Sequence, residues 1–139
     1  MAVYTTDELD RELRQAEIIT NLHQFTYDTN VSEVVQTLHT YTIVLSQDCD
    51  LLWDYQAKIN NQRRDLNGVL IYEAESVAEI RARLAGGDIL RRIRRHGEER
   101  YHILNSATAN LDLLGEGLPE LIVDFRRFFT LPADEIYRQ

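Results

Sequence analysis

The chain has 139 residues, and its 15 basic residues against 23 acidic ones give a net charge of −8 at pH 7. This charge argues against sequence-independent nucleic-acid binding as the main task of the protein, because such binding needs a basic surface. No apolar run approaches the roughly 20 residues that span a bilayer, and a single Cys excludes an intramolecular disulfide and suits the reducing cytoplasm, where we place the protein.

The first 15 residues predict an N-terminal helical segment. Thr6 is its cap, and the two acidic residues that follow suit the positive end of a helix dipole. The same acidic and polar composition differs from that of a signal peptide or a transit peptide.

The next two segments favour strands. Residues 16–28, "AEIITNLHQFTYD", are rich in β-branched and aromatic residues, although their periodicity also allows an extension of the helix. Residues 39–47, "HTYTIVLSQ", place Tyr41, Ile43 and Leu45 on one face and predict a strand that is buried on both sides near its end.

The middle of the chain combines another strand with helices. Residues 51–64 predict an irregular helix or a long loop, and residues 68–75 predict a buried strand. A helix over 77–87 follows, because Ser76 and Glu79 have the spacing of a capping box.

A second short helix is predicted over 89–97. Gly86 is predicted to end the helix over 77–87, and Asp88 is predicted to cap the helix over 89–97. His96 and Gly97 are the residues that end it.

The last third of the chain predicts short extended segments followed by a helix. The strands cover 100–105, 120–125 and 127–131. Pro132 then takes the favoured first position of a terminal helix over 132–139.

Strands and short helices without a regular βαβ alternation predict an α+β fold. We expect a single domain over 1–139 that contains a small, curved, mostly antiparallel sheet or an SH3-like barrel, decorated by short helices. Its core covers 16–131, between the N-terminal helical segment (1–15) and the C-terminal helix (132–139).

The only Cys lies between two aspartates. A reactive thiol needs nearby positive charge or a helix N-terminus, whereas Asp48 and Asp50 bring negative charge to Cys49. We therefore favour a structural interpretation. In it, the aspartates cap the following segment or accept hydrogen bonds from turn amides, and Cys49 packs as a small apolar residue.

A metal site is a weaker alternative for the same segment. His39 or His102 would complete a mixed ligand set with it, but the sequence lacks the CxxC and HxxxH spacings that are typical of zinc sites. We therefore expect no metal.

A set of carboxylates is the third alternative. Asp48, Asp50 and Glu73 lie at the ends of predicted strands, and Glu75 shares a strand face with Glu73. Nucleases gather carboxylates around Mg²⁺ in this way. We keep these residues as catalytic candidates.

The segment 91–100, "RRIRRHGEER", contains five Arg and two Glu and is locally basic. We favour the solvated face of an amphipathic helix, with basic residues near its C-terminus. The alternative is a patch that binds phosphate or a partner, and its candidate residues are Arg91, Arg92, Arg94, Arg95, Arg126 and Arg127.

No motif for a nucleotide or another cofactor is present. The sequence has neither a phosphate loop nor a strand–GxGxxG–helix pattern. Gly115 and Gly117 are interpreted as turn glycines, and we expect no cofactor.

Three segments, "VLSQDCDL", "RIRRHGEERYHIL" and "GEGLPELIVDFRRFFTLPADEIYR", resemble a family of uncharacterised bacterial proteins. The resemblance covers about residues 40–139 and singles out Ser46, Gln47, Cys49 and His102 within the shared motifs. It implies no particular reaction, and members of the family often continue past the position of Gln139.

The order of elements is also similar to the barrel of MazF/PemK-type toxins. "TYTIVLSQ" and "GVLIYEAE" would correspond to two of the toxin strands. Where those toxins carry an Arg and a catalytic Thr or Ser, this chain has Thr40 and Glu73. The similarity concerns the fold alone.

Two functional hypotheses follow. The first is a non-catalytic protein-interaction module, in a bacterial defence or mobile-element locus, that binds a protein partner or a second copy of itself. The aromatic segments around Trp53 and around Phe128 and Phe129 would then mark its interface. The second is a nucleic-acid-binding protein or nuclease that uses the arginine run and the strand-end carboxylates.

Overall fold

A computed structural model describes residues 11–84, 87–108 and 115–138. Its elements are, in chain order, β1 (Ile18–Asp28), β2 (Glu33–Val44), α1 (Asp48–Ile59), β3 (Val69–Ser76), α2 (Val77–Arg83), α3 (Gly87–Arg94), β4 (Tyr101–Leu104), β5 (Leu121–Leu131) and α4 (Ala133–Tyr137). No helix among these residues is long and apolar enough to cross a membrane. The predicted cap Thr6 and the predicted helix end at Gly86 lie outside the described residues, and 11–15 are not helical.

The strands form one antiparallel sheet in the order β1-β2-β3-β5-β4. The predicted α+β fold with a small antiparallel sheet and short helices is confirmed. Of the two forms that the sequence left open, the structure has the sheet. Among the described residues, β1 and β4 remain the two ends of the strand order instead of pairing to close a barrel.

Two strands are longer than predicted. β2 begins at Glu33 instead of residue 39, because 33–38 pair with β1 across a turn over 29–32. Asp28 shapes this turn by accepting a hydrogen bond from the backbone N–H of Asn30. The predicted pieces 120–125 and 127–131 form the single strand β5.

The helices begin close to their predicted positions, with three corrections. Of the irregular helix and the long loop predicted for 51–64, the structure has a helix, α1, which begins at Asp48 and ends at Ile59. Asp88 lies inside the first turn of α3 rather than at its cap, and Pro132 is the N-cap of α4 rather than its first residue. The capping box of Ser76 and Glu79 is confirmed, since each side chain bonds the backbone N–H of the other.

Contacts divide the chain into two compact units. The hairpin unit contains 12–73 and 128–139, and the helical unit contains 11 and 74–127. Each unit has its own apolar core. The core of the hairpin unit includes Leu13, Leu22, Val44, Leu51, Val69, Ile71, Leu131, Ala133 and Ile136. That of the helical unit includes Val77, Ile80, Leu90, Ile93, Tyr101 and Ile122.

Candidate interaction surface

The Asp48-Cys49-Asp50 segment forms the first turn of α1, directly after the N-cap Gln47. The two carboxylates suit the positive end of the helix, but neither caps it, because no side-chain cap bond is present at this helix start. Asp48 instead accepts a hydrogen bond from the backbone N–H of Gln15 at 2.7 Å. The structural role predicted for Asp48 therefore takes the form of a link to the preceding segment.

Cys49 is exposed, so the prediction that it packs as a small apolar residue is wrong. Its Sγ atom lies 3.7 Å from the side-chain oxygen of Gln47 and 3.9 Å from a carboxylate oxygen of Asp50. Both neighbours present oxygens, and an acidic first turn gives the thiol no local cation. Cys49 thus lies at a helix N-terminus, which favours a thiolate, but its polar neighbours are oxygens and the two flanking carboxylates oppose that effect.

Ser46 has a structural task at the end of β2. Its Oγ accepts a hydrogen bond from the backbone N–H of Leu70 at 2.8 Å, and the N–H of Leu45 donates to the carbonyl of Leu70 at 2.9 Å. These two bonds fix the end of β2 against the start of β3.

The strand-end carboxylates have separate partners. Glu73 lies 2.7 Å from Nδ1 of His39, a buried ring that also contacts Gln24 at 2.9 Å and stacks on Phe129. Glu75 binds Arg83 and Arg127 within the helical unit.

No group of three or more His, Cys, Asp or Glu side chains that could hold a metal ion occurs in the described residues. Glu73 and Asp48 each serve a contact that joins one segment of the hairpin unit to another. Their partners are an imidazole and a backbone amide.

The arginine run lies on α3 and just after it, and three of its members bind carboxylates of the helical unit. Arg91 lies 3.5 Å from Asp88, and Arg92 lies 2.9 Å from Glu98. Arg94 donates two hydrogen bonds to Glu120, at 2.7 and 2.9 Å.

These two bonds hold the pKa of Glu120 below its ordinary value and raise that of Arg94. The run is therefore partly neutralised where it stands. Arg95 and Arg126 are exposed, and Arg127 binds Glu75.

α3 ends at Arg94, three residues before the predicted end at 97, and His96 and Gly97 shape the turn that follows it. His96 adopts a left-handed backbone conformation with φ of 54°, and the N–H of Gly97 donates to the carbonyl of Arg92, which is a common way for a helix to end. The exposed ring of His102 stacks on His96 with centroids 5.4 Å apart. Gly115 and Gly117 both have positive φ, as expected of turn glycines.

Of the aromatic residues predicted to mark an interface, Trp53 and Phe128 are exposed, and Phe129 is half-buried against His39. Trp53 lines a cleft of about 340 Å³ in the hairpin unit. The other residues that line this cleft are Asp50, Asp54, Ala57, Arg63, Asp65 and Leu66.

Several exposed large apolar side chains lie together on the β1–β2 hairpin, and the sequence predictions missed this surface. The register pairs His23 with Leu38, Phe25 with Gln36 and Tyr27 with Val34. Paired residues of an antiparallel ladder share a face, as do alternate residues of a strand. These six residues therefore form one face of the hairpin, which we call the apolar face.

The four large apolar side chains of this face point into solvent. They are Phe25 (54% exposed), Tyr27 (62%), Val34 (66%) and Leu38 (54%). His23 stacks on Phe25 with centroids 6.5 Å apart and contacts Gln36, which confirms that these three share the face. A folded monomer gains little from keeping so many large apolar groups in water side by side.

The opposite face of the hairpin differs. It carries Leu22, which is fully buried in the core of the hairpin unit, and His39, which is 6% exposed. The hairpin is thus anchored through this face at its base, whereas Thr26 and Val35, on the same face nearer the turn, are exposed.

The hairpin is also almost free of charge. Asp28 and Glu33 flank the turn, and no other charged residue occurs between Glu17 and Asp48. This gap and the alternation "HQFTY" followed by "VVQTL" are the sequence signals that point to the surface. The first half of β2 was not predicted as a strand. The sequence analysis therefore did not place the apolar residues of 34–38 beside those of 23–27.

Comparison of the chain with models of protein families, with curated proteins and with solved structures found no match.

Proposed function

We propose that the protein is a non-catalytic interaction module that binds a protein partner through the apolar face of the β1–β2 hairpin. The observation that carries the proposal is the row formed by Phe25, Tyr27, Val34 and Leu38, each more than half exposed. Aromatic side chains on a rigid strand are typical anchors of protein interfaces, because they bury large areas at little cost in conformational entropy.

The alternative, a nucleic-acid-binding protein, has less support. Arg91, Arg92 and Arg94 already bind acidic side chains, so a phosphate would compete with bonded carboxylates. The net charge of −8 adds a long-range repulsion that a nucleic acid would have to overcome. The catalytic candidates Asp48 and Glu73 are engaged in other contacts.

The test is a quantitative pull-down from a nuclease-treated lysate of the host, with Phe25→Asp compared to Trp53→Asp. Both substitutions place a carboxylate at an exposed aromatic position of the hairpin unit, but Trp53 belongs to α1 and not to β1 or β2. We expect Phe25→Asp to lose a protein that wild type and Trp53→Asp both retain. Equal retention by all three would refute the proposal.

The same lysate without nuclease treatment addresses the alternative. Nucleic acid that co-purifies with Phe25→Asp as well as with wild type would favour the arginine run instead. A steep fall of that binding with salt would support phosphate contacts.

A further inference from the structure

We propose that the hairpin binds a second copy of this chain, with the β1 strands of the two copies pairing antiparallel about a two-fold axis. This inference rests on the proposed function and names the partner of the same surface. It is carried by the edge position of β1, by the charge distribution of the chain and by the self-complementarity of the strand.

Within the described part of the chain, β1 is an edge strand of the sheet, since β2 is its neighbour and the strand order begins with β1. Edge strands of soluble proteins are usually short, or are protected by Lys, Pro, or inward-pointing charge. β1 has 11 residues, and its sequence, "IITNLHQFTYD", contains neither Lys nor Pro and is uncharged up to the terminal Asp28. A long uncharged edge of this kind is a template for another strand.

The charge of the chain limits which surfaces of two copies can meet. Each copy carries a net charge of −8, so an acidic surface of one copy repels the same surface of the other. The hairpin is the stretch where this repulsion is weakest, because its two acidic residues, Asp28 and Glu33, flank the turn at one end.

A two-fold pairing also matches the side chains. A register centred on Phe25 places the two Phe25 rings side by side, and Tyr27 of each copy opposite His23 of the other. Residues of equal parity face the same way, so the apolar faces of the two copies join into one. In this register the two Asp28 carboxylates lie about six residues apart along the strands, roughly 20 Å.

The small area that the two copies bury against each other predicts a dimer that dissociates on dilution. The pairing buries the added strand and the facing parts of His23, Phe25 and Tyr27, because Val34 and Leu38 lie on β2, one strand away from the seam. This area is on the order of several hundred Å² per copy, below the roughly 800 Å² of a standard stable interface. We therefore expect association that depends on concentration in the micromolar range.

The first measurement is light scattering on the full chain over about three decades of concentration around this range. The expected mass rises from 16.2 kDa towards twice that value. Phe25→Asp opposes two carboxylates at the axis and keeps the mass at that of one chain, whereas the control Trp53→Asp behaves as wild type. A dimer that survives Phe25→Asp overturns the inference.

The second measurement tests the register in a Cys49→Ser background, which removes the native exposed thiol. Phe25→Cys brings two cysteines together at the axis, within the Cα separation that a disulfide spans, and mild oxidation gives a covalent dimer. The control Asn30→Cys lies in the exposed turn and stays monomeric. Equal crosslinking of both variants, or of neither, contradicts the register.

The two proposals fail differently. A chain that remains a monomer at every concentration, but captures a protein that Phe25→Asp loses, refutes self-pairing and leaves the interaction module intact. A monomer whose captured proteins are indifferent to Phe25→Asp refutes both.

Discussion

The arginine run on α3 and the β1–β2 hairpin differ in whether their most conspicuous side chains have partners within the protein. The run is the most basic segment of the chain, yet Arg91, Arg92 and Arg94 bind carboxylates of their own unit. The hairpin is uncharged between its ends, yet it presents Phe25 and Tyr27 to solvent. Three charged side chains of the run therefore have partners in their own unit, whereas the large apolar side chains of the hairpin lie in solvent.

The largest expected effect comes from truncating one side chain on each face of the hairpin and comparing the two losses of stability. Leu22→Ala should lower the free energy of unfolding by roughly 2–5 kcal/mol, because Leu22 is fully buried. Phe25→Ala on the same strand should cost less than about 1 kcal/mol in the monomer. Urea unfolding of dilute protein measures both; equal losses would show that the apolar face serves the fold.

The second expected effect concerns two Arg–Asp pairs of the hairpin unit. Asp54 is buried and binds Arg64 through two bonds, whereas Asp65 and its partner Arg63 are almost fully exposed. Asp54→Ala removes the buried partner of Arg64, which keeps its contact with Asp134, and should cost roughly 1.5–3 kcal/mol. Asp65→Ala should cost well under about 1 kcal/mol. Similar losses in thermal or urea unfolding would contradict this assignment.

A smaller effect is expected from acid. The hydrogen bonds and charge of Arg94 lower the pKa of Glu120 below its ordinary 4.5, so the pair stabilises the fold at neutral pH. This contribution is lost as the pH falls below about 4.5 towards the lowered pKa.

Arg94→Gln should therefore flatten the loss of stability below that pH, by less than about 1 kcal/mol because the pair is exposed. The control Arg95→Gln changes an exposed neighbour in the same run and should leave the acid profile as in wild type. A profile of Arg94→Gln that matches wild type would refute the role of this pair.

No effect on RNA binding is expected from changing the arginine run. Fluorescence anisotropy with a short RNA at low salt should show the same absence of steep, salt-dependent binding for wild type and for Arg91→Glu combined with Arg95→Glu. Tight RNA binding by wild type that the double variant loses would support the alternative hypothesis, that the protein binds nucleic acid through the arginine run.

Much of the fold was predictable because it follows from local patterns. The capping box at Ser76, the left-handed end of α3 and the turn glycines Gly115 and Gly117 were all read from a few neighbouring residues. The α+β class followed from the order of strands and helices.

The candidate surface was not predictable in the same way, because it depends on pairing between strands. Residues 33–38 form β2 only because β1 pairs with them, and a stripe spread over two strands has no local signature. The sequence also does not state which residues remain exposed. Cys and Trp are residue types that are usually buried, yet Cys49 and Trp53 lie in solvent.

The hairpin unit is assembled from both ends of the chain, since its core joins Leu13 and Leu22 to Leu131 and Ile136. During synthesis the hairpin leaves the ribosome long before the residues that complete its core. At ordinary elongation rates this interval lasts roughly 5–20 s. For that time a nascent chain carries apolar residues on both faces of an uncharged ribbon, and neighbouring chains on one messenger meet at high local concentration. We therefore expect the nascent hairpin to depend on chaperones until Leu131 and Ile136 have been made.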